Sequence, residues 1–150
     1  MGEQAKTYGS NYTGVAAVEL GTTVHFTGYV AAETASRYLS GADIGVLPFN
    51  HGVTLKSGSL LALLAHDLPV IATRPDPLDR ELDGCLRPIS PRDVNELAIA
   101  ITELLRDRTE GSQLKHASRT VAQTLVWDAI AGAHLQIYQS ALLDLGAIKR

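Results

Sequence analysis

The chain has 150 residues, a length that fits one domain with a real hydrophobic core. Hydrophobic residues make up 45% and charged residues 19%, and a net charge of −3 excludes the basic footprint of a nucleic-acid-binding protein. The longest purely apolar run, residues 60–65, is too short to span a membrane. The single Cys85 excludes an internal disulfide, and the five histidines show no zinc-type spacing. We therefore expect a cytoplasmic protein that binds no metal. Another domain, joined to this chain, could attach the protein to a membrane.

Strand and helix patterns alternate through the first 90 residues. Apolar runs at 44–47 and 70–72 are typical of parallel strands buried on both faces. The segment between them, at 59–66, is predicted to be a helix that is apolar all round and therefore buried. The other elements predicted here are a helix at 12–20, a strand at 24–27, a helix at 31–39 and a strand at 86–89.

The second half of the sequence is predicted to be helical. Ser90 and Pro91 form a start signal, with Ser90 as the N-cap and Pro91 at the first helical position. Two more helices are predicted, at 113–121 and from Trp127 onward. Apolar residues at helical spacing mark the first and last of these helices, at Val94, Leu97, Ala98, Ile101, Leu104 and Leu105 and at Trp127, Ile130, Ala131, His134, Ile137, Tyr138 and Ala141. The predicted fold class is α/β, a Rossmann-like parallel sheet of about four strands with helices on both faces.

Four residues at the start of the predicted 59–66 helix suit a diphosphate group. A helix N-terminus carries unpaired N–H groups and about half a positive charge. Gly58 lets a ligand approach the backbone, Ser57 and Ser59 add hydroxyl donors, and Lys56 adds a mobile cation. The alternative is that Ser57 is only an N-cap and Lys56 a solvated loop residue.

Two further groups of residues follow predicted strands. Ligands in open α/β sheets bind beyond the carboxyl ends of strands, so His51 could donate to a phosphate or a sugar hydroxyl. It follows the 44–47 strand together with Asn50 and Gly52, and the alternative is a surface histidine without a task. The second group, at the end of the 24–27 strand, is Thr27, Gly28 and Tyr29. These residues could line the same crevice, and the alternative is a plain turn between a strand and a helix. The acidic residues of 76–83 form no acid/base pair and indicate a solvated, proline-bent loop.

Four segments, in this order, resemble the C-terminal, donor-binding domain of GT-B glycosyltransferases of the group 1, family 4 type. They cover about residues 12–140 and read VHFTGYV with the following helix, GADIGVLPF, GVTLKSGSLLALLAHDLPVIAT and WDAIAGAHLQIYQ. The resemblance implies a nucleotide-sugar substrate, no cofactor, and a Trp127 helix that braces the other domain. It places the donor diphosphate at Lys56, Ser57, Gly58 and Ser59, the sugar and phosphates near Asn50, His51 and Gly52, and the nucleotide near Thr27, Gly28 and Tyr29.

The sequence departs from this family at two positions. Many members carry two glutamates eight positions apart around the buried helix, one toward the sugar and one toward the ribose. Thr54 and Ala62 stand there in this chain, so neither carboxylate contact carries over. Diphosphate binding would then carry more of the affinity for the donor.

The resemblance lacks the opening strands of such a domain and the whole N-terminal, acceptor-binding domain. We therefore expect a fragment that is inactive alone, with unpaired sheet edges beside the 24–27 and 44–47 strands. The alternatives are that another chain or a second copy fills the gap, or that the sheet closes over it. Joined to its N-terminal domain, the chain is expected to transfer a hexosyl group to an unknown acceptor. Two other functions stay open, a non-catalytic nucleotide-binding or interaction module and another GT-B enzyme such as a sugar-nucleotide epimerase.

Overall fold

The computed structural model describes residues 24–75, 77 and 79–148 of the chain. The chain forms two compact units, Met1–Tyr38 and Leu39–Arg150. The helix predicted at 12–20 lies outside the described residues. The first described helix, α1 (Ala32–Ser40), confirms the helix predicted at 31–39, and Glu33 in its first turn complements the helix dipole.

The strand predicted at 24–27 is wrong. No strand of the described residues pairs with this stretch, and the side chains of Val24 and Phe26 are exposed. A β-branched sequence supplies only a preference, because a strand persists where a neighbouring strand satisfies its backbone hydrogen bonds. The predicted count of about four strands therefore becomes three.

A three-stranded parallel sheet forms the centre of the second unit. Its strands, in spatial order, are β1 (Gly45–Leu47), β2 (Val70–Thr73) and β3 (Leu86–Ile89). The sheet confirms the strands predicted at 44–47, 70–72 and 86–89. Val70, in the middle strand, is in register with Gly45 on one side and with Leu86 on the other.

Helices cover both faces of this sheet, as predicted. Val70 and Ala72 of β2 share an apolar cluster with α2 (Gly58–Ala65), the helix that follows β1. Ile71 belongs to a second cluster, formed with α3 (Val94–Arg106). Successive side chains of a strand point to opposite faces, so the fully buried β2 contributes to both cores.

The helix α2 confirms the buried helix predicted at 59–66. Leu60 and Leu64 are fully buried, and Leu63 packs directly over Gly45 of β1. A Cβ atom on Gly45 would lie only 2.6 Å from Cδ1 of Leu63. The glycine therefore allows close packing of the helix on the strand that precedes it.

The start of α3 differs from the prediction. Asp93 is the N-cap, and its carboxylate accepts a hydrogen bond of 2.8 Å from the Glu96 N–H. Arg92 has a left-handed backbone, with φ of 61°, so the helix cannot begin at Pro91. Ser90 instead donates its N–H to the Glu96 carboxylate, at 2.7 Å. The buried face of α3 also differs from the predicted stripe. Ala100 and Leu104 are buried, Leu97 and Ile101 are partly buried, and Val94 and Leu105 are exposed.

Two long helices complete the chain. Asp107 ends α3 and caps α4 (Arg108–Thr124), accepting hydrogen bonds from the N–H groups of Thr109 and Glu110. α4 is longer than the helix predicted at 113–121. α5 (Trp127–Ile148) begins where the sequence predicts, and most of its large apolar side chains are exposed, Trp127 at 84%. Among the helices of the described residues, none combines the length and the apolar character needed to cross a membrane.

Candidate functional site

The segment after β1 and the segment after β2 meet at the carboxyl edge of the sheet. Val53 is fully buried and donates its N–H to the carbonyl of Thr73, the last residue of β2, at 3.0 Å. Gly52 has φ of 79°, and a Cβ atom there would lie 2.4 Å from the backbone nitrogen of Pro75. We call residues 48–57, which run from β1 to α2, the β1 exit loop. This loop is therefore packed against the backbone of the next strand's exit.

The last part of the β1 exit loop is held by three hydrogen bonds. The Leu55 N–H donates to Oδ2 of Asp79 at 2.9 Å. The Ser57 N–H donates to the carbonyl of Thr54 at 2.9 Å, and the Lys56 N–H donates to Oγ1 of the same threonine at 3.3 Å. The loop thus reaches α2 in a defined conformation rather than as a free coil.

Ser57 is the N-cap of α2. Its backbone is extended, and its Oγ accepts a hydrogen bond of 3.3 Å from the Leu60 N–H. The alternative that Ser57 is an N-cap is therefore confirmed. The cap uses only the hydroxyl oxygen, as an acceptor, so the hydroxyl hydrogen can still be donated to a ligand.

The first turn of α2 is open to solvent. Gly58 and Ser59 are exposed, and a Cβ atom on Gly58 would meet nothing within 4 Å. Within the described residues, the N–H groups of Gly58 and Ser59 have no hydrogen-bond acceptor. Two donors and the positive end of the helix dipole therefore face open space, which is the arrangement that binds an anion.

Lys56 adds a cation beside this turn. Its side chain is exposed and takes part in none of the ion pairs formed within the described residues. An exposed ammonium group on a flexible stem can follow an anion that binds to the N–H groups of Gly58 and Ser59. Lys56 and Ser57 therefore lead directly into the open first turn of α2, at Gly58 and Ser59.

Asn50 and His51 lie in an exposed turn of the β1 exit loop. The turn closes through a hydrogen bond of 3.4 Å from the Gly52 N–H to the carbonyl of Phe49. In the described part of the chain, no hydrogen bond connects Asn50 or His51 to the residues from Lys56 to Ser59. Their role toward a ligand stays a prediction.

Thr27, Gly28 and Tyr29 belong to the first unit. Gly28 has φ of 61°, and the hydroxyl of Thr27 donates to the Gly28 carbonyl at 3.1 Å, so these residues form a local turn. Tyr29 is 94% exposed. Their predicted place near a nucleotide stays a prediction.

Two residues at this edge were missed in the sequence. Asp79 belongs to the stretch that the sequence predicts to be a solvated loop, yet it is half-buried and accepts a hydrogen bond from the Leu55 N–H. Arg74 follows β2 directly and lines a groove of about 490 Å³ at the carboxyl ends of β2 and β3, together with Ser90 and Glu96. The rule that ligands bind beyond the carboxyl ends of strands would have singled out Arg74, whereas no local signal marks Asp79.

Other polar side chains of the second unit take part in contacts within the fold. Arg119 donates to the Asp67 carboxylate and holds the pKa of Asp67 below its ordinary value. Cys85 donates its S–H to the Glu81 carbonyl, and burial raises the pKa of Cys85 above its ordinary value. In the described residues, no group of three potential ligands could hold a metal ion.

Comparisons with known proteins identify the family of the chain and agree with its fold. The profile of the family described as "Glycosyl transferases group 1" matches residues 2–107. Among solved structures, sucrose-phosphate synthase from Thermosynechococcus elongatus is similar over 83% of this chain, with a TM-score of 0.62 and 28% sequence identity. The match covers 32% of that structure's chain, so the present chain spans about a third of its length. A search of curated proteins finds no match.

Proposed function

Because the chain belongs to the glycosyl transferases group 1 family and has a Rossmann-like GT-B fold, we propose that it binds the nucleotide-sugar donor of a glycosyltransferase. The observation that carries the proposal is the open first turn of α2. In the described part of the chain, the N–H groups of Gly58 and Ser59 have no acceptor, and the exposed Lys56 just before them forms no ion pair. The donor's diphosphate is the anionic group that such a turn suits best.

The proposed reaction is displacement at the anomeric carbon of the donor sugar. The bond from that carbon to the diphosphate oxygen breaks while a bond to an acceptor oxygen forms, and the nucleoside diphosphate leaves with the bonding electrons. Lys56 and the N-terminus of α2 would stabilise the negative charge that develops on the leaving group, which is electrostatic catalysis without a metal. The acceptor oxygen would lose its proton to a base outside this chain.

We propose that the acceptor site belongs to an N-terminal domain joined to this chain. The chain spans about a third of the sucrose-phosphate synthase structure that it resembles, so two thirds of that structure have no counterpart here. With donor binding in one domain and the acceptor in another, the chain alone would bind a nucleoside diphosphate and transfer no sugar. The transferred group is proposed to be a hexosyl group.

A non-catalytic nucleotide-binding module is the second candidate, and one observation favours it. Thr54 and Ala62 occupy the positions where many members of this family carry glutamates toward the sugar and the ribose. Thr54 uses its hydroxyl to hold the Lys56 N–H, and Ala62 is partly buried in α2, so neither replaces a carboxylate contact. A site with only the diphosphate contact would hold a nucleotide without orienting its sugar.

Calorimetric titration of the chain with ADP, GDP, UDP, CDP and dTDP tests the donor site. At least one diphosphate should bind, and the matching nucleoside, which lacks the phosphates, should bind at least tenfold more weakly, since each charge-assisted hydrogen bond contributes about 1.5–3 kcal/mol. Absence of binding by all five diphosphates, or equal binding of nucleoside and diphosphate, would contradict the proposal. Sugar transfer by the chain joined to an acceptor-binding domain then separates an enzyme from a binding module.

A further inference from the structure

The β1 exit loop is attached to the segment after β2 at two alternate residues. Val53 and Leu55 both direct their N–H groups toward that segment, one to the Thr73 carbonyl and one to the Asp79 carboxylate. Thr54, between them, uses its carbonyl and hydroxyl on the residues that lead into α2. The loop is therefore fixed on one side and shapes the helix start on the other.

These two attachments differ in kind. The Thr73 acceptor is a backbone carbonyl, which any sequence supplies, whereas the Asp79 acceptor is a side chain. Leu55 is partly buried and packs against the core cluster of α2 and β2, so its N–H is partly removed from water. A polar group in that position needs an acceptor, and Asp79 supplies it across 24 residues of sequence.

We propose that Asp79 is a positioning residue for the diphosphate site. Through Leu55 it fixes the backbone one residue before Lys56 and two residues before the N-cap of α2. The backbone of Lys56 and the open N–H groups of α2 are then held in a fixed arrangement, from which the flexible Lys56 side chain can reach an anion. This inference rests on the proposed function. It adds Asp79, a residue outside the β1 exit loop, whereas the loop itself would contact the donor.

The charge of Asp79 makes the assignment testable. A carboxylate close to an anion site opposes anion binding, so attraction to the ligand does not explain an aspartate here. Its role is that of an acceptor, which an asparagine oxygen fulfils without the charge. Asp79→Asn should therefore bind a nucleoside diphosphate at least as tightly as the parent chain, whereas Asp79→Ala should bind it about tenfold more weakly.

The experiment combines a ligand-free and a ligand-bound measurement on the full chain. In Asp79→Ala, amide hydrogen exchange at Leu55 should be faster than in the parent chain. In Asp79→Asn, the exchange rate at Leu55 should be close to that of the parent. The diphosphate that binds the parent most tightly is then titrated into each variant. Asp83→Ala is the matched control, because it removes the same charge from an exposed aspartate nearby. Thermal unfolding verifies that each variant is folded, and Asp79→Ser, whose hydroxyl is too short to reach Leu55, replaces Asp79→Ala if the latter is not.

Two results would overturn the inference. One is unchanged exchange at Leu55 in the variant without an acceptor, and the other is equal binding by the alanine and asparagine variants. If no diphosphate binds the parent, the proposed function fails while the exchange result still decides whether Asp79 orders the loop. The failure of the site and the failure of the positioning role are therefore separate outcomes.

Discussion

Gly52 and Pro75 are in backbone contact that leaves no room for a side chain on the glycine. The position of a Cβ atom on Gly52 is 2.4 Å from the nitrogen of Pro75 and 2.6 Å from its Cα. The φ angle of 79° at Gly52 is also one that residues other than glycine rarely adopt. The close packing of the β1 exit loop against the segment after β2 therefore depends on this glycine.

Gly52→Ala should destabilise the chain by about 2–4 kcal/mol, through a steric clash added to an unfavourable backbone angle. The free energy of unfolding in urea measures the effect. Gly58→Ala is the matched control, because its Cβ would meet nothing within 4 Å and alanine favours a helix. The control should change stability by less than about 1 kcal/mol. A similar loss in both variants would show that the contact with Pro75 is unimportant.

Lys56→Ala should weaken binding of a nucleoside diphosphate by about 1–3 kcal/mol, because a charge-assisted hydrogen bond to the phosphates is lost. Calorimetry in low and high salt should show the difference shrinking as salt increases. Lys115→Ala, which removes an exposed lysine from α4, is the control and should bind like the parent. Equal affinities of the parent and Lys56→Ala would refute the phosphate assignment.

Asp93→Ala should destabilise the chain by about 0.5–2 kcal/mol, the effect of losing an N-cap. Ser90→Ala should have almost no effect, because Ser90 contributes its backbone N–H, and not its side chain, to the hydrogen bond with Glu96. Chemical unfolding of the two variants compares the helix start in the structure with the one that the sequence predicts. A larger loss of stability in Ser90→Ala than in Asp93→Ala would show that Ser90 is the N-cap.

The ion pair of Asp67 and Arg119 predicts part of the response to acid. Hydrogen bonding by Arg119 lowers the pKa of Asp67, so this pair stabilises the folded state above the ordinary pKa and loses that effect as the pH falls through the lowered one. The stability difference between the parent and Arg119→Ala should therefore be constant near neutral pH and shrink below about pH 4. Urea midpoints at decreasing pH measure it, with Arg106→Ala as the control. A difference that persists at the lowest pH would exclude the pair as its source.

The sequence predicted the elements whose signals are local and mutually consistent. The start of the buried helix combines a preferred N-cap at Ser57 with an apolar run. α2 begins at Gly58, one residue before the predicted start at 59. At Ser90 the local signal predicts a cap, but the left-handed backbone of Arg92 makes the helix begin later, and Asp93 is the cap. The stretch 24–27 has a strand-like composition, but whether a strand forms depends on a neighbour that composition does not describe.

The missed parts of the candidate site depend on contacts between distant residues. Asp79 acquires its role from a single N–H at Leu55, and no pattern near either residue shows that this N–H needs an acceptor. The requirement for glycine at position 52 likewise comes from Pro75, 23 positions away, whereas the sequence marks Gly52 only by its place after a predicted strand. Local periodicity can therefore place a loop at the correct edge of the sheet without showing what holds it there.

The outer edge of β1 gives a direct readout of whether the chain is joined by another strand. Gly45 directs its N–H to Pro69 beside β2, so by alternation Val46 directs its N–H and carbonyl away from β2. No strand of the described residues lies on that side, and Pro48 has no N–H to extend a ladder beyond it. The amide of Val46 is therefore a single-atom reporter of assembly, whose exchange should slow when a second copy or an upstream domain completes the sheet.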